Sequence, residues 1–356
     1  MKIITVIGAR PQFVKAAVLS REFKFFQEIN EIIIHTGQHF DKKMSDVFFL
    51  DLGIPVPKYN LRINSGSHAS MTANMLIGLE KILINEKPDF VLVYGDTNST
   101  LAAALVASKL NIPIIHVEAG VRSGDISMPE EVNRLITDSV SKILISPTKD
   151  SFDRLQKIKM SWQNVIFAGD IMYDSFLEYK RTTMNSIKDI ILATIHRQEN
   201  TDSLEKIYKH LCFINDLAKL TKNKAIFIVH PRISKIINDI KYEFKNIDFS
   251  DPISYFSIQD LLHDCNFVIT DSGGLQKEAF WAKKPCVTLR DTTEWTELVD
   301  LGVNKIGEMK LEEIAKWIVN FNYNLFESEK SNSIIKNYGA GNAGKKIAEY
   351  INTLTI

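Results

Sequence analysis

The sequence predicts an α/β chain built from two Rossmann-like domains. Three observations carry that prediction. Short Val/Ile-rich runs alternate with longer amphipathic stretches, which is the rhythm of β-α units on a parallel sheet. The rhythm runs twice, with a break near Gly169-Asp170. Several runs stop on a carboxylate or a Gly-containing turn, as strands do where their carboxyl ends open onto a ligand site.

The elements follow in order. The first strand is expected over 2–7, because Lys2-Ile3-Ile4-Thr5-Val6-Ile7 is apolar and then turns at Gly8. It has one charge and no cleavage-like site, so it reads as a strand and not as a signal peptide. Further strands are expected over 31–35, 90–95, 114–118 and 143–146 in the first half. In the second half they are expected over 164–168, 190–195, 225–229, 267–270 and 285–289. Helical periodicity covers Thr72–Ile84, Ser99–Leu110, Glu131–Val140, Leu204–Lys219 and Leu275–Ala282. The expected domains are 1–169 and 170–340, with a cleft between them, and a last helix within 341–356. That helix follows the turn Gly339-Ala340-Gly341-Asn342, and periodicity leaves open which domain it packs on. The polar stretch Glu327–Ser333 is the most disorder-prone, and no repeat of period about 20–50 is present.

Composition narrows the function classes. The 356 residues are 45% hydrophobic and 24% charged, ordinary for a globular protein. Lys+Arg and Asp+Glu both number 43, so bulk charge draws the chain to neither nucleic acid nor an anionic membrane. No apolar run approaches the roughly 20 residues of a membrane span. Cys212, Cys265 and Cys286 are an odd set without metal-ligand spacing, which suits free, mostly buried thiols in a reducing cytoplasm. No Cys/His cluster points to a metal.

Four places carry chemistry. Gly8-Ala9-Arg10-Pro11-Gln12-Phe13-Val14-Lys15 closes the first strand and opens a helix, with Pro11 suited to the first turn. Exposed N–H groups there, with Arg10 and Lys15, would form an anion site; the bland reading is a solvated turn. The segment lacks the Gly patterns of a dinucleotide fold or a nucleotide-triphosphate loop. Thr270-Asp271-Ser272-Gly273-Gly274 follows the 267–270 run, and its glycines let a phosphate approach closely. Glu278, one turn on, suits a pair of ribose hydroxyls; a capped helix start is the alternative. His196-Arg197 ends the 190–195 run and can neutralise a leaving diphosphate. His230 is a weaker version, and His35, His39, His116, His210 and His263 read as structural. Asp96, Glu118 and Glu130 form the acid set, with Arg122 and Arg134 nearby. Singly each is as well explained by a salt bridge or a cap, and Asp96 stands before a helix it can cap. Crowded in one dry cleft, they can split acid and base roles.

These residues resemble the non-hydrolysing UDP-N-acetylglucosamine 2-epimerases. The resemblance runs through GARPQFVKAA (8–17), TGQH (36–39), YGDTNSTLA (94–102), HVEAGVRSGD (116–125) and MPEEVNR (128–134). It continues through His196-Arg197, TDSGGLQKEA (270–279) and LRDTTEW (289–295). It implies a glycosyltransferase-B-like fold of two Rossmann-like domains around a deep cleft, with the last helix crossing back to the first domain. It implies that Arg10, Ser272, Gly273, Gly274 and Glu278 hold UDP, with Arg197 and Arg290 in the same binding set. His196 would lie at the diphosphate. Asp96, Glu118 and Glu130 would move protons at the sugar, supported by Lys15 and Arg134.

The implied reaction inverts C2 of a UDP-sugar by eliminating and re-adding UDP, with no metal or redox cofactor, in a cytoplasmic homodimer. Nucleic acid and membrane insertion play no part. Gln12 replaces a frequent Glu, and Trp295 stands where an Arg is usual. GARPQF, SGSH and RDTTEW look more like the branch acting on UDP-2,3-diacetamido-2,3-dideoxyglucuronate, where Trp295 and local cations would be pocket features. UDP-N-acetylglucosamine is the alternative substrate, and a glycosyltransferase of the same fold or a silent nucleotide-sugar binder are the competing classes. Asp41 and Ser65, where the family pattern has Gln and Arg, point away from allosteric activation by UDP-N-acetylglucosamine.

Overall fold

The computed structural model describes residues 1–38, 52–179, 189–307 and 310–354. His39 and Asp41, singled out above, lie outside them. The chain forms two compact units, Met1–Glu178 with Lys336–Ile356, and Tyr179–Ile335.

The first unit is built on a parallel sheet of β1 (Lys2–Ile7), β2 (Asn30–His35), β3 (Tyr59–Asn60), β4 (Phe90–Tyr94), β5 (Ile114–Val117), β6 (Ile143–Ser146) and β7 (Asn164–Phe167). Their order is β3-β2-β1-β4-β5-β6-β7, and every pairing is parallel. β4 (FVLVY) and β5 (IIHV) are buried along their whole length, so they read as continuous apolar runs. Ile4, Val6, Val91 and Val93 pack against Met75, Leu79 and Leu83 of the His68–Glu86 helix and Ala102 and Ala103 of the Asn98–Lys109 helix. That first helix starts earlier than its periodicity, because Ser67 caps it by accepting the Ser70 N–H at 3.2 Å.

The second unit has β8 (Ile190–Thr194), β9 (Lys224–Ile228), β10 (Ile247–Ser250), β11 (Phe267–Thr270), β12 (Cys286–Thr288) and β13 (Asn304–Ile306), ordered β10-β9-β8-β11-β12-β13, again all parallel. Ile191, Ala193, Phe227 and Ile269 meet Ile207, Leu211, Ile214 and Leu217 of the Leu204–Leu220 helix.

In each sheet the chain reverses its direction of travel once, between β1 and β4 and between β8 and β11. Ligand sites of open α/β sheets lie outside the carboxyl ends of the strands at that switch point. The turns after these four strands are Gly8–Arg10, Gly95–Asp96, Ile195–Arg197 and Asp271–Gly274. They are the segments that the sequence marks for chemistry.

The 164–168 run lies in the first sheet, within the expected 1–169 domain, where Ile143–Ser146 pairs with Asn164–Phe167. Two expectations are corrected. The first unit runs on to Glu178, not to 169, because the Ile171–Glu178 helix packs on the Arg10–Phe23 helix. The Ala343–Asn352 helix packs on the same two helices, with Asp174 Oδ2 accepting the Gly344 N–H at 2.8 Å. The polar Glu327–Ser333 stretch is ordered as a short 3-10 turn and the start of the Glu329–Asn337 helix. Phe326, Ser331 and Ile334 are its buried anchors, a sparse apolar pattern that composition hides.

Candidate active site

In the first unit the acids gather at the ends of β4 and β5. Gly95 carries φ +61, a left-handed conformation open to glycine at no steric cost, and it turns the chain so that Asp96 follows the strand. Thr97, not Asp96, caps the Asn98–Lys109 helix by accepting the Thr100 N–H at 3.2 Å. The capping role that competed for Asp96 is therefore filled by its neighbour. Arg134 donates to Asp96 Oδ2 from Nε at 2.9 Å and from Nη2 at 2.6 Å, and to Glu131 Oε2 from Nη1 at 2.8 Å. Asp96 keeps 30% of its side chain exposed, and its Oδ1 has no protein partner among the described residues.

Glu118 follows β5 with φ +73, uncommon for a residue with a side chain and worth about 1 kcal/mol or more of strain. Its N–H and that of Ala119 donate to the Ile145 carbonyl at 3.0 and 2.9 Å, which holds the turn. The carboxylate pairs with the buried ammonium of Lys15. Of the acids in the Pro129–Val140 helix, Glu131 is buried and Glu130 half-buried. Glu131 accepts the Ser123 and Gly124 N–H groups at 2.9 and 3.3 Å. Burial resists its ionisation, but these N–H groups and Arg134 hold its carboxyl below the usual range. Glu130 has no hydrogen-bond or ion-pair partner among the described residues.

The turn after β1 departs from expectation. The Gly8 and Ala9 N–H groups are already taken by Gln12 Oε1, at 2.8 and 3.0 Å, and Lys15 faces Glu118. The anion-site reading narrows to the Arg10 side chain. Gln12 also donates to the Tyr94 carbonyl and to Thr100 Oγ1, both at 2.9 Å. A glutamate could accept from the N–H groups but could not donate to that carbonyl. Gln12 therefore ties the β1 turn to the end of β4.

His116, which the sequence marks as structural, is fully buried. Its Nε2 lies 2.8 Å from the Gly95 carbonyl and its Nδ1 2.7 Å from Asp138 Oδ1. Asp138 also accepts from the Gly120 N–H at 3.1 Å and from Arg122 at 2.6 Å. Burial opposes its charge, but His116 and Arg122 outweigh that and hold its carboxyl low. The sequence signal for this network, a histidine two residues before Glu118, was present but had no pattern to attach to.

In the second unit the Gly273–Trp281 helix starts at the end of β11, capped by Ser272 Oγ on the Leu275 N–H at 3.4 Å. The Gly273 and Gly274 N–H groups have no protein acceptor among the described residues, as is general at a helix start, which leaves them open to an anion. Glu278 is buried, and its Oε1 is fixed by the Tyr255 hydroxyl at 2.8 Å and Gln259 Nε2 at 2.9 Å. Asp271 is fully buried and receives the N–H groups of His196 (3.1 Å) and Arg197 (2.9 Å) and the Asn200 amide (3.0 Å). Burial opposes its charge, yet His196 and these donors push its carboxyl far below the usual range. His196 turns Nδ1 to Asp271 Oδ1 at 2.8 Å while 38% of its side chain is exposed. The rest of the ring is offered outward. His230 stands beside it, with ring centroids 6.2 Å apart.

Trp295 is placed differently from expectation, and Arg290 is paired with a carboxylate close to it in sequence. Arg290 is 2% exposed in its side chain and forms a two-pronged pair with Glu294, at 2.8 and 3.2 Å. Arg197 lies 3.6 Å from the same carboxylate. Trp295 is not an open pocket face. It is buried, donates Nε1–H to the Gly273 carbonyl at 2.9 Å, and has the buried Lys277 ammonium 4.3 Å from its ring centroid. Trp295 thus buttresses the glycine turn, and Arg290 holds Glu294, whose carboxylate stands beside Gly273. Among the described residues no group of three or more His, Cys, Asp or Glu side chains could hold a metal ion. No helix among them is long and apolar enough to cross a membrane.

Residues 21–352 match the family model for UDP-N-acetylglucosamine 2-epimerase. The chain belongs to the UDP-N-acetylglucosamine 2-epimerase family. It is 43% identical to the UDP-2,3-diacetamido-2,3-dideoxy-D-glucuronate 2-epimerase of Pseudomonas aeruginosa, over 99% of both chains. It is 37% identical to the UDP-N-acetylglucosamine 2-epimerase of Methanocaldococcus jannaschii, again over 99% of both chains. A crystal structure of the UDP-GlcNAc 2-epimerase from that organism, in complex with UDP-GlcNAc and UDP, matches with a TM-score of 0.89 at 35% identity, covering 99% of each chain. A glycosyltransferase structure, that of kitacinnamycin, matches with a TM-score of 0.63 at 11% identity over 98% of both chains, a likeness of fold alone.

Proposed function

We propose that this member of the epimerase family inverts C2 of a UDP-sugar by eliminating and re-adding UDP, and that its substrate is UDP-2,3-diacetamido-2,3-dideoxyglucuronate. The observation that carries the reading is what stands at the two switch points. One bears carboxylates with open oxygens beside buried cations, and the other bears a helix start with unclaimed N–H groups beside a fixed carboxylate. The first is the equipment for proton transfer, the second for a nucleotide diphosphate. The choice of sugar follows the 43% identical relative.

Each unit has its part in this reading. The Gly273 and Gly274 N–H groups, with Ser272, take the diphosphate, and Glu278 takes the ribose hydroxyls. Arg10, Arg197 and the outward side of His196 stabilise UDP as its charge develops on leaving, where such donors act most strongly. Asp96, Glu118 and Glu130 share removal and return of the C2 proton. Lys15 and Arg134 pair with Glu118 and Asp96 and aim them. Inversion needs proton donors and acceptors on both faces of the ring, which a single carboxylate cannot supply. The same reading takes the enzyme as a cytoplasmic homodimer.

The test is a proton NMR time course in D2O with two UDP-sugars run separately, the diacetamido-glucuronate and UDP-N-acetylglucosamine. Deuterium at C2 together with a manno-configured UDP product from the first is expected. The same result from the second sugar alone would move the substrate and keep the reaction. Exchange with neither, while UDP still binds, would sink the epimerase reading and favour glycosyl transfer.

A further inference from the structure

We propose that His116 is a positioning residue for Asp96, held as a doubly protonated imidazolium between Asp138 and the Gly95 carbonyl. The inference rests on the assignment of Asp96 to proton transfer. It begins from the partners of the two ring nitrogens. The Gly95 carbonyl, 2.8 Å from Nε2, can only accept a hydrogen bond. Asp138 Oδ1, 2.7 Å from Nδ1, belongs to a carboxylate whose other oxygen already accepts from the Gly120 N–H and from the Arg122 guanidinium. That carboxylate is ionised and so also only accepts. A neutral imidazole has a single N–H and would leave one of these short contacts without a proton. The ring is fully buried, so no solvent replaces the missing donor. Both nitrogens therefore carry hydrogen, and the positive ring sits against a negative carboxylate.

The consequence reaches Asp96 through one peptide bond. The carbonyl of Gly95 and the N–H of Asp96 belong to the same rigid plane. Fixing that carbonyl fixes the direction in which Asp96 leaves the strand. The next plane is fixed as well, since Asn133 Nδ2 donates to the Asp96 carbonyl at 2.8 Å. Arg134 then holds the side chain. The clamp stands where the backbone is least constrained on its own account, beside Gly95 at φ +61. Through Asp138 and Gly120 the same ring also braces the loop that follows Glu118.

Two measurements test this. In protein labelled with 15N-histidine, long-range proton–nitrogen spectra taken under the assay conditions should show both ring nitrogens of His116 carrying hydrogen. A spectrum with one bare nitrogen would overturn the charged state. Replacing His116 by Phe removes the donor to Gly95. A displacement of order 1 Å at a reacting group costs roughly 100-fold in rate. C2 deuterium incorporation should fall by about that factor, with KM and UDP affinity within about threefold of wild type. His116→Gln keeps a donor within reach of the Gly95 carbonyl and should recover part of the loss. Equal losses of rate and UDP affinity in both variants would mean that His116 only supports the fold. Should His116→Phe fail to fold, the Gln variant and the nitrogen spectra still decide. If the wild type exchanges C2 in neither sugar, the epimerase reading fails, while the nitrogen spectra still judge the imidazolium on their own.

Discussion

Replacing Asp271 by Asn should weaken the second unit and loosen its grip on UDP together. The carboxylate receives two backbone N–H groups, the Asn200 amide and His196 Nδ1, at 2.8 to 3.1 Å and with no exposure to solvent. Hydrogen bonds to a charged acceptor contribute about 1.5–3 kcal/mol each, roughly twice those to a neutral one. The amide keeps one oxygen, but its NH2 faces donors and leaves at least one buried group unpaired, at about 1–3 kcal/mol. Together with the weakened bonds the loss should come to about 4 kcal/mol, the range found on breaking a buried ion pair. Its dependence on pH follows from the direction of the shift. The folded carboxyl is held well below the ordinary value, while an unfolded aspartate takes its proton near pH 3.9. The stabilisation is therefore complete above that pH and is lost as pH falls toward the folded value. Urea unfolding followed by tryptophan fluorescence, to which Trp281 and Trp295 contribute, should show the full difference at pH 7 and a smaller one below pH 4. Calorimetry with UDP should show about tenfold weaker binding, because His196 loses the partner that orients it. A variant as stable as wild type, or a difference that does not shrink with acid, would refute the argument.

Two further outcomes follow from single contacts. A methyl group on Gly8 would stand 2.1 Å from Ser99 Oγ and 2.2 Å from Thr36 Oγ1, so Gly8→Ala should cost about 1–3 kcal/mol in urea unfolding. No change would mean that the two hydroxyls move aside freely. Asp174 behaves oppositely to Asp271. Burial, ahead of the helping N–H groups of Gly344 and Ala343, pushes its carboxyl up to about 6. Its ionised form thus costs stability that is lost as pH rises from about 4 through 6. Asp174→Asn should raise the melting temperature relative to wild type more at pH 8 than at pH 4, and an equal difference at both would refute this reading.

Much of the fold was legible because strands buried on both faces must be apolar throughout. Phe90–Tyr94 and Ile114–Val117 have no polar face to disguise them, apart from His116. The strands that went unseen are Tyr59–Asn60, Ile247–Ser250 and Asn304–Ile306, and each lies at the edge of its sheet. An edge strand is short and partly solvated, so its sequence follows neither the continuous nor the alternating pattern. The unit boundary was missed for a different reason. Gly169-Asp170 is a true turn, but the helix after it spends its apolar side on the Arg10–Phe23 helix, a tertiary choice that periodicity does not record.

At the candidate site the sequence named the acids but had no means of sorting them. Glu130 and Glu131 are adjacent, and only the helix phase decides that Glu131 turns inward to Ser123, Gly124 and Arg134. Asp138 and Asp271 look like any other carboxylates in the string of letters, yet both are buried, Asp138 filled by the Gly120 N–H, His116 and Arg122, and Asp271 by two backbone N–H groups, Asn200 and His196. A carboxylate whose acceptor positions are all occupied is costly to protonate and has nothing to offer a substrate. Asp96, Glu118 and Glu130 are the reverse, each with part of its side chain open and at most one cation beside it. Proton transfer needs a carboxylate that can change charge, and orientation needs one that cannot. The two kinds alternate along the same turns. Asp138 holds, through His116, the peptide from which Asp96 departs, and Asp271 holds the ring of His196. Removing a holding acid should therefore change rate and stability together, whereas removing an open one should change rate with little effect on stability.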